Sequence, residues 1–202
     1  MLNIRVYSDY VCPYCFLGEQ VLLRAIKGME NQIAIEWMPF ELRPFPTPTL
    51  LPEGEYLQQT WQNSVYPMAA QLNIPIILPK VSPQPYTHLA FEGYQFAKKQ
   101  NLGTAYNHRM FTAFFQEEQD IGQVDVLVNL ATEVGLNASD FRKNLENRTY
   151  KDQHQEALRH AYEEIRISAV PTFVINDVVY RGLLREQDIV RIVTEALNSG
   201  GF

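Results

Sequence analysis

Two cysteines separated by two residues, Cys12-Pro13-Tyr14-Cys15, constrain this 202-residue chain more than any other feature. The motif lies between a short apolar run that predicts a strand and a long amphipathic run that predicts a helix. Residues three apart on a helix share a face, so the two sulfurs can come close enough to form a disulfide. A strand running directly into a helix places Cys12 at the helix N-terminus, where unpaired N–H groups favour a thiolate.

This arrangement predicts redox chemistry, in which Cys12 attacks a disulfide and Cys15 resolves the mixed disulfide. A zinc site is disfavoured because structural zinc usually takes four ligands and the chain has only two cysteines. A purely structural disulfide is disfavoured because it would close too short a loop to gain much entropy. A non-catalytic cysteine pair that holds a metal or docks a partner stays open as an alternative.

Charge and hydropathy restrict the partners. The formal net charge of −6 argues against nucleic acid or an anionic membrane as the main partner. No apolar run approaches the length that spans a bilayer, and the first residues lack the pattern of a signal peptide. We therefore expect a cytoplasmic protein without a membrane partner. The sequence carries no signal of oligomeric state.

The predicted elements fall into an outer part and an inner part. Two strands flanking a helix open the chain, and a hairpin followed by a helix closes it, so the outer parts are expected to share one mixed sheet in an α/β fold. Helices dominate between them. This order predicts a discontinuous sheet domain of residues 1–45 and 167–202, interrupted by a helical insertion domain of residues 46–166. The predicted strands are 2–7, 33–40, 171–175 and 178–181, and the predicted helices are 16–29, 55–72, 86–100, 104–116, 124–134, 138–147, 151–165 and 185–197.

Residues 7–18, Tyr-Ser-Asp-Tyr-Val-Cys-Pro-Tyr-Cys-Phe-Leu-Gly, resemble the active-site opening of DsbA-like oxidoreductases of the FrnE type. These proteins are similar to 2-hydroxychromene-2-carboxylate isomerases and kappa-class glutathione transferases. The likeness continues through residues 37–44, 87–90 and 169–173, and it covers essentially the whole chain. The resemblance implies a thioredoxin fold with a large all-helical insertion and the activity of a protein disulfide oxidoreductase.

The resemblance also suggests roles for residues other than the two cysteines. Pro171 is expected to be the cis-proline that faces the catalytic sulfur, leaving the backbone of Val170 to pair with an extended substrate. Pro13, Tyr14 and Phe40 are expected at the rim of the active site. His88 matches a position in the family and is included as a rim candidate. Tyr14 and Phe40 could equally belong to the core, and a histidine at position 88 is more often a packed or capping residue.

The leading hypothesis is a thiol–disulfide oxidoreductase, working as an oxidase, reductase or isomerase on protein or small-molecule thiols and disulfides. No cofactor or metal is expected beyond the redox-active cysteine pair, with glutathione a candidate co-substrate. The alternative is a glutathione-dependent transferase or isomerase of small aromatic compounds, although such relatives often carry serine at the first cysteine. Thioredoxins place a buried acid six residues before the first cysteine, and that position is Val6 here. Glu36 is the nearest candidate proton acceptor.

Overall fold

Four strands form one mixed sheet in the computed structural model, which describes residues 1–199. The strands are β1 (Leu2–Ser8), β2 (Ile33–Pro39), β3 (Thr172–Ile175) and β4 (Val178–Arg181), and their order in the sheet is β2-β1-β3-β4. The β1 and β2 strands are parallel, whereas β3 runs antiparallel to both of its neighbours. Residues from both ends of the chain therefore build the sheet, as the sequence predicts.

The register of β1 and β2 brings two later segments together. Leu2 pairs with Ile33 at one end of the ladder and Ser8 pairs with Pro39 at the other. Parallel strands end at the same edge of a sheet. The segment that follows β1, which contains the two cysteines, consequently lies beside the segment that follows β2.

Helices make up most of the rest of the described chain. The first helix, α1, begins directly after Cys12, and it ends at Ala25, before Gly28 takes a positive φ of 86°. None of the helices within residues 1–199 is long and apolar enough to cross a membrane. The helices are α1 (Pro13–Ala25), α2 (Glu55–Thr60), α3 (Tyr66–Leu72), α4 (His88–Lys99), α5 (Gly103–Glu117), α6 (Val124–Glu133), α7 (Ala138–Glu146), α8 (Lys151–Arg159) and α9 (Glu186–Ser199).

Two wider π turns interrupt segments that the sequence predicts as single helices. One, Trp61–Val65, separates α2 from α3, and the other, His160–Glu164, follows α8. Pro67 lies in the first turn of α3. A proline inside a helix lacks an N–H and crowds the carbonyl four residues earlier, so a widened turn before Pro67 relieves that conflict.

Aromatic side chains join α1 to the helical insertion. The rings of Phe16 and Phe115 are stacked with centroids 5.6 Å apart, and Trp61 packs 6.0 Å from Phe115. On the other side, Tyr10 stacks 4.4 Å from Phe91. All five rings are buried. This cluster fixes the helix that carries the cysteines against the insertion.

Short-range sequence patterns can be compared with the structure at one hairpin turn and at the start of α7. The Asn176-Asp177 turn between β3 and β4 has φ values of 48° and 60°, which is the hairpin geometry the sequence predicts. Serine and aspartate are common helix caps, yet neither Ser139 nor Asp140 caps α7. Asn137 is the cap, because its side chain accepts a hydrogen bond from the Asp140 N–H at 3.0 Å.

Candidate active site

Cys12 is the N-cap residue of α1. Its carbonyl accepts hydrogen bonds from the N–H groups of Cys15 at 3.0 Å and Phe16 at 3.3 Å, while its own backbone is extended. No side chain caps this helix start, and Pro13 in the first turn has no N–H to offer. The positive end of the helix therefore faces Cys12 without a competing side chain.

The Cys12 thiol lies against the loop that precedes β3. Its Sγ is 3.8 Å from the carbonyl oxygen of Val170, to which it can donate a weak hydrogen bond. The Val170–Pro171 peptide bond is cis. Gly18 lets this loop pack closely on α1, because a Cβ there would lie 3.3 Å from Pro171 Cγ. The structure thus places Val170 and Pro171 beside the cysteine pair.

Cys15 lies one turn deeper in α1 and is 2% exposed. Burial raises the pKa of its thiol well above the ordinary range, and the neighbouring Cys12 sulfur raises it further, against an opposing effect of the Asp9 N–H. The Cys15 thiol therefore keeps its proton in the reduced protein at neutral pH. Of the two sulfurs, Cys12 is the one placed to act as the nucleophile.

A cavity of about 390 Å³ opens over Cys12. Its size lies within the range of small-ligand sites in proteins. The wall formed by the insertion is mostly apolar and aromatic, and a few polar side chains complete the lining. Besides Cys12, the lining includes Asp9, Pro13, Tyr14, Leu42, Arg43, Tyr56, Leu57, Trp61, Gln84, Thr87 and Val170. The arrangement can hold a small disulfide, or one segment of a larger substrate, against the sulfur.

Asp9, three residues before Cys12, is a further residue of this site. Its side chain is 1% exposed, and it does not cap α1. Instead, Oδ2 accepts a hydrogen bond from the Leu42 N–H at 2.8 Å. The signal that could have found it is an acid directly after an apolar strand, in the segment shared with the cysteines.

Three sequence candidates lie away from the cysteines. Phe40 packs into a separate apolar cluster, with its ring 4.9 Å from Tyr162. His88 lines a different groove, together with Arg148 and Tyr162. Glu36 pairs with Lys98 at the surface. The structure therefore does not bring Phe40, His88 or Glu36 to the cavity over Cys12, since each lies on another face of the elements that carry it.

Within residues 1–199, no group of three or more histidine, cysteine, aspartate or glutamate side chains is arranged to hold a metal ion. Cys12 and Cys15 are both free thiols in the structure.

Comparison with known proteins adds a family and a fold. Residues 3–193 match the family model described as a DSBA-like thioredoxin domain. The uncharacterized protein YwbO from Bacillus subtilis (strain 168) is 54% identical over 182 residues, which cover 90% of each chain. The match spans most of both chains, and the name of this relative assigns no activity.

Solved structures show the same fold at low sequence identity. The probable DsbA oxidoreductase SCO1869 from Streptomyces coelicolor superimposes with a TM-score of 0.84 at 18% identity, covering 100% of this chain and 92% of that one. The cytosolic disulfide reductase DsbM from Pseudomonas aeruginosa gives 0.70 at 15% identity, covering 98% and 96%. DsbM has also been solved with GSH.

Proposed function

Because the chain belongs to the DsbA-like thioredoxin-domain family, we propose that it is a thiol–disulfide oxidoreductase that works through Cys12 and Cys15. The observation that carries this proposal is the unequal placement of the two sulfurs. Cys12 caps α1 at the floor of the cavity, whereas Cys15 is sealed behind it with a raised pKa. Such a pair suits one sulfur to attack a substrate and the other to resolve the product.

In the reducing direction, the Cys12 thiolate attacks one sulfur of the substrate disulfide. The substrate S–S bond breaks, its other sulfur leaves as a thiolate and takes up a proton, and Cys12 is held in a mixed disulfide. Cys15 then loses its proton and attacks Cys12 Sγ, releasing the second substrate thiol. The protein ends with a Cys12–Cys15 disulfide and the substrate gains two electrons. The same steps in reverse oxidise a dithiol.

The substrate class in this proposal is protein or small-molecule disulfides. The Val170 carbonyl beside Cys12 offers a backbone acceptor to an extended segment, and the cavity is large enough for one glutathionyl half of glutathione disulfide. The GSH-bound structure of DsbM supports glutathione as a co-substrate, and that protein's name supports a cytoplasmic setting.

A second candidate is a glutathione-dependent transferase or isomerase of small aromatic compounds. The observation in its favour is the aromatic cavity wall, with Tyr14, Tyr56 and Trp61 around a small volume. Against it stands Cys12, because a free thiol at the helix start suits disulfide exchange better than conjugation. A glutathione-conjugation assay on an aromatic electrophile decides this, and we expect no activity above the uncatalysed rate.

The test of the leading proposal is reduction of insulin and oxidation of a dithiol by the purified protein. We expect turnover by the wild type and none by Cys12→Ser or Cys15→Ser. The two variants act as matched controls for each other, since only Cys15→Ser should still capture substrate in a mixed disulfide. Full turnover by Cys12→Ser would overturn the proposal.

A further inference from the structure

Asp9 contacts both cysteines through its backbone, and its side chain lines the cavity over Cys12. Its carbonyl accepts a hydrogen bond from the Cys12 N–H at 3.1 Å, and its own N–H faces the Cys15 sulfur. The carboxyl group lines the cavity over Cys12, yet the residue is almost completely buried. The segment that follows β1 therefore places one buried acid next to the two cysteines.

One oxygen of this carboxyl group lacks a hydrogen bond of ordinary geometry. Oδ2 accepts from the Leu42 N–H, whereas Oδ1 has no hydrogen-bond partner among the described residues. Buried polar atoms in folded proteins are nearly always paired, so an orphaned carboxyl oxygen calls for an explanation. A group that takes up and releases a proton during turnover provides one.

We propose that Asp9 accepts the proton of the Cys15 thiol when Cys15 attacks the mixed disulfide on Cys12. The inference rests on the proposed function, and it assigns to Asp9 the task that the sequence left without a candidate near the cysteines. Glu36 cannot serve, because it is paired with Lys98 at the surface.

The surroundings of Asp9 suit this task. Burial raises its pKa to about 7, and Glu41 acts in the same direction. The Leu42 N–H and the Thr87 side chain oppose the rise without cancelling it. Both protonation states are therefore populated near neutral pH, where general acid–base groups are most effective. The titratable groups that interact with Asp9 are Tyr10, Cys15, Glu41 and Tyr162.

The step balances within the named groups. The Asp9 carboxylate takes the proton from Cys15 Sγ, and the resulting thiolate attacks Cys12 Sγ. The bond between Cys12 and the substrate sulfur breaks as the Cys12–Cys15 bond forms. The substrate sulfur leaves with the electron pair and takes up the proton from the Asp9 carboxylic acid, directly or through a water molecule, which returns Asp9 to the carboxylate. Asp9 is then ready for the next cycle.

The test separates formation of the mixed disulfide from its resolution. Reduced protein is mixed with dithiobis(nitrobenzoate), an aromatic disulfide that releases one coloured thiolate when Cys12 attacks and a second when Cys15 resolves. The second phase is first order and independent of reagent concentration. We expect Asp9→Asn to slow this phase at neutral pH by at least about 100-fold, in line with general-base catalysis, without slowing the first phase comparably. Glu36→Gln, which changes an acid outside the site, should leave both phases unchanged.

The wild type provides a second readout that does not depend on folding of the variant. Its resolution rate should rise with pH through an apparent pKa near 7, and Asp9→Asn should lack that inflection. Equal second-phase rates in the wild type and Asp9→Asn, or no inflection in the wild type, would overturn the role of Asp9. If the wild type showed no first phase, the proposed function itself would fail.

Discussion

The Tyr14 hydroxyl lies 2.7 Å from Ser64 Oγ, so one of the two residues between the cysteines is hydrogen-bonded to the helical insertion. Ser64 belongs to the π turn Trp61–Val65, whose first residue lines the cavity. This contact connects the start of α1 with the opposite wall of the cavity. It thereby limits how far that wall can move away from Cys12.

Removing this contact should change substrate selection. In Ser64→Ala the lost hydrogen bond costs about 0.5–1.5 kcal/mol of stability, and the wall is freer to open. We expect the ratio of kcat/KM for insulin to that for glutathione disulfide to rise. Asn63→Ala, which changes an exposed neighbour in the same turn, is the matched control. An unchanged ratio in Ser64→Ala would show that the contact does not restrict the site.

The two thiols should differ in reactivity. Burial raises the pKa of Cys15, so the reduced protein treated with iodoacetamide at neutral pH should be alkylated at Cys12 well before Cys15. Peptide mass spectrometry over time measures the order. In guanidinium chloride the two rates should become similar, because unfolding removes the burial. Equal rates in the folded protein would contradict the assignment of roles.

A buried hydrogen-bonded pair holds the insertion to the segment after β2. His154 Nε2 lies 2.6 Å from Glu41 Oε1, and both side chains are buried. We expect His154→Leu to lower the free energy of unfolding by at least about 3 kcal/mol, because the Glu41 carboxyl is left buried without its partner. Denaturant titration measures the loss.

Two further variants test whether the unpaired Glu41 carboxyl causes this loss of stability. Adding Glu41→Gln to His154→Leu should restore part of the stability, since the remaining side chain is uncharged. Arg159→Ala removes a partner from the exposed Glu156 pair and should cost no more than about 1 kcal/mol. A loss in His154→Leu as small as that in Arg159→Ala would contradict the account.

The hydrogen bond between a second buried acid, Glu19, and His108 should make stability depend on pH. Glu19 on α1 accepts hydrogen bonds from Asn107 at 2.9 Å and from His108 at 3.1 Å, both on α5. The bond to Glu19 raises the pKa of His108 above its ordinary value. The folded state therefore holds this proton more tightly than the unfolded state. The resulting stability is complete below about pH 6.5 and is lost as the pH rises through the raised pKa.

Unfolding by urea at several pH values tests this sign. We expect His108→Gln to remove the loss of stability above about pH 6.5. His88→Gln should leave it in place, because burial lowers the pKa of His88 and its effect appears as the pH falls. The same loss in His108→Gln as in the wild type would contradict the assignment.

The sequence predicts most of the fold because its signals are local. The cysteine pair, the helical periodicity and the Asn176-Asp177 turn each depend on neighbours along the chain, and together they predict a mixed sheet interrupted by helices. The resemblance to DsbA-like oxidoreductases adds the thioredoxin fold with a helical insertion, which the comparisons confirm. The π turn at Trp61–Val65 was missed, since a helix and a widened helix show nearly the same apolar pattern.

The candidate site is harder to predict because it is built from distant segments. Asp9 becomes buried only because the register of β1 and β2 places it beside Leu42. From the sequence, Phe40 and His88 are candidates for the rim of the active site. In the structure, Phe40 packs into a separate apolar cluster and His88 lines a different groove. Side-chain direction at the ends of strands and helices depends on tertiary packing, which a single sequence does not display.

The most direct test of the central claim is intact-mass analysis after reaction with glutathione disulfide. The account predicts one glutathione adduct, on Cys12, in Cys15→Ser, and no adduct in Cys12→Ser. The wild type should pass through the adduct and end with a mass lower by two hydrogen atoms, the mark of the Cys12–Cys15 disulfide. No adduct in Cys15→Ser, or equally rapid adduct formation on Cys15 in Cys12→Ser, would contradict the claim that Cys12 attacks and Cys15 resolves.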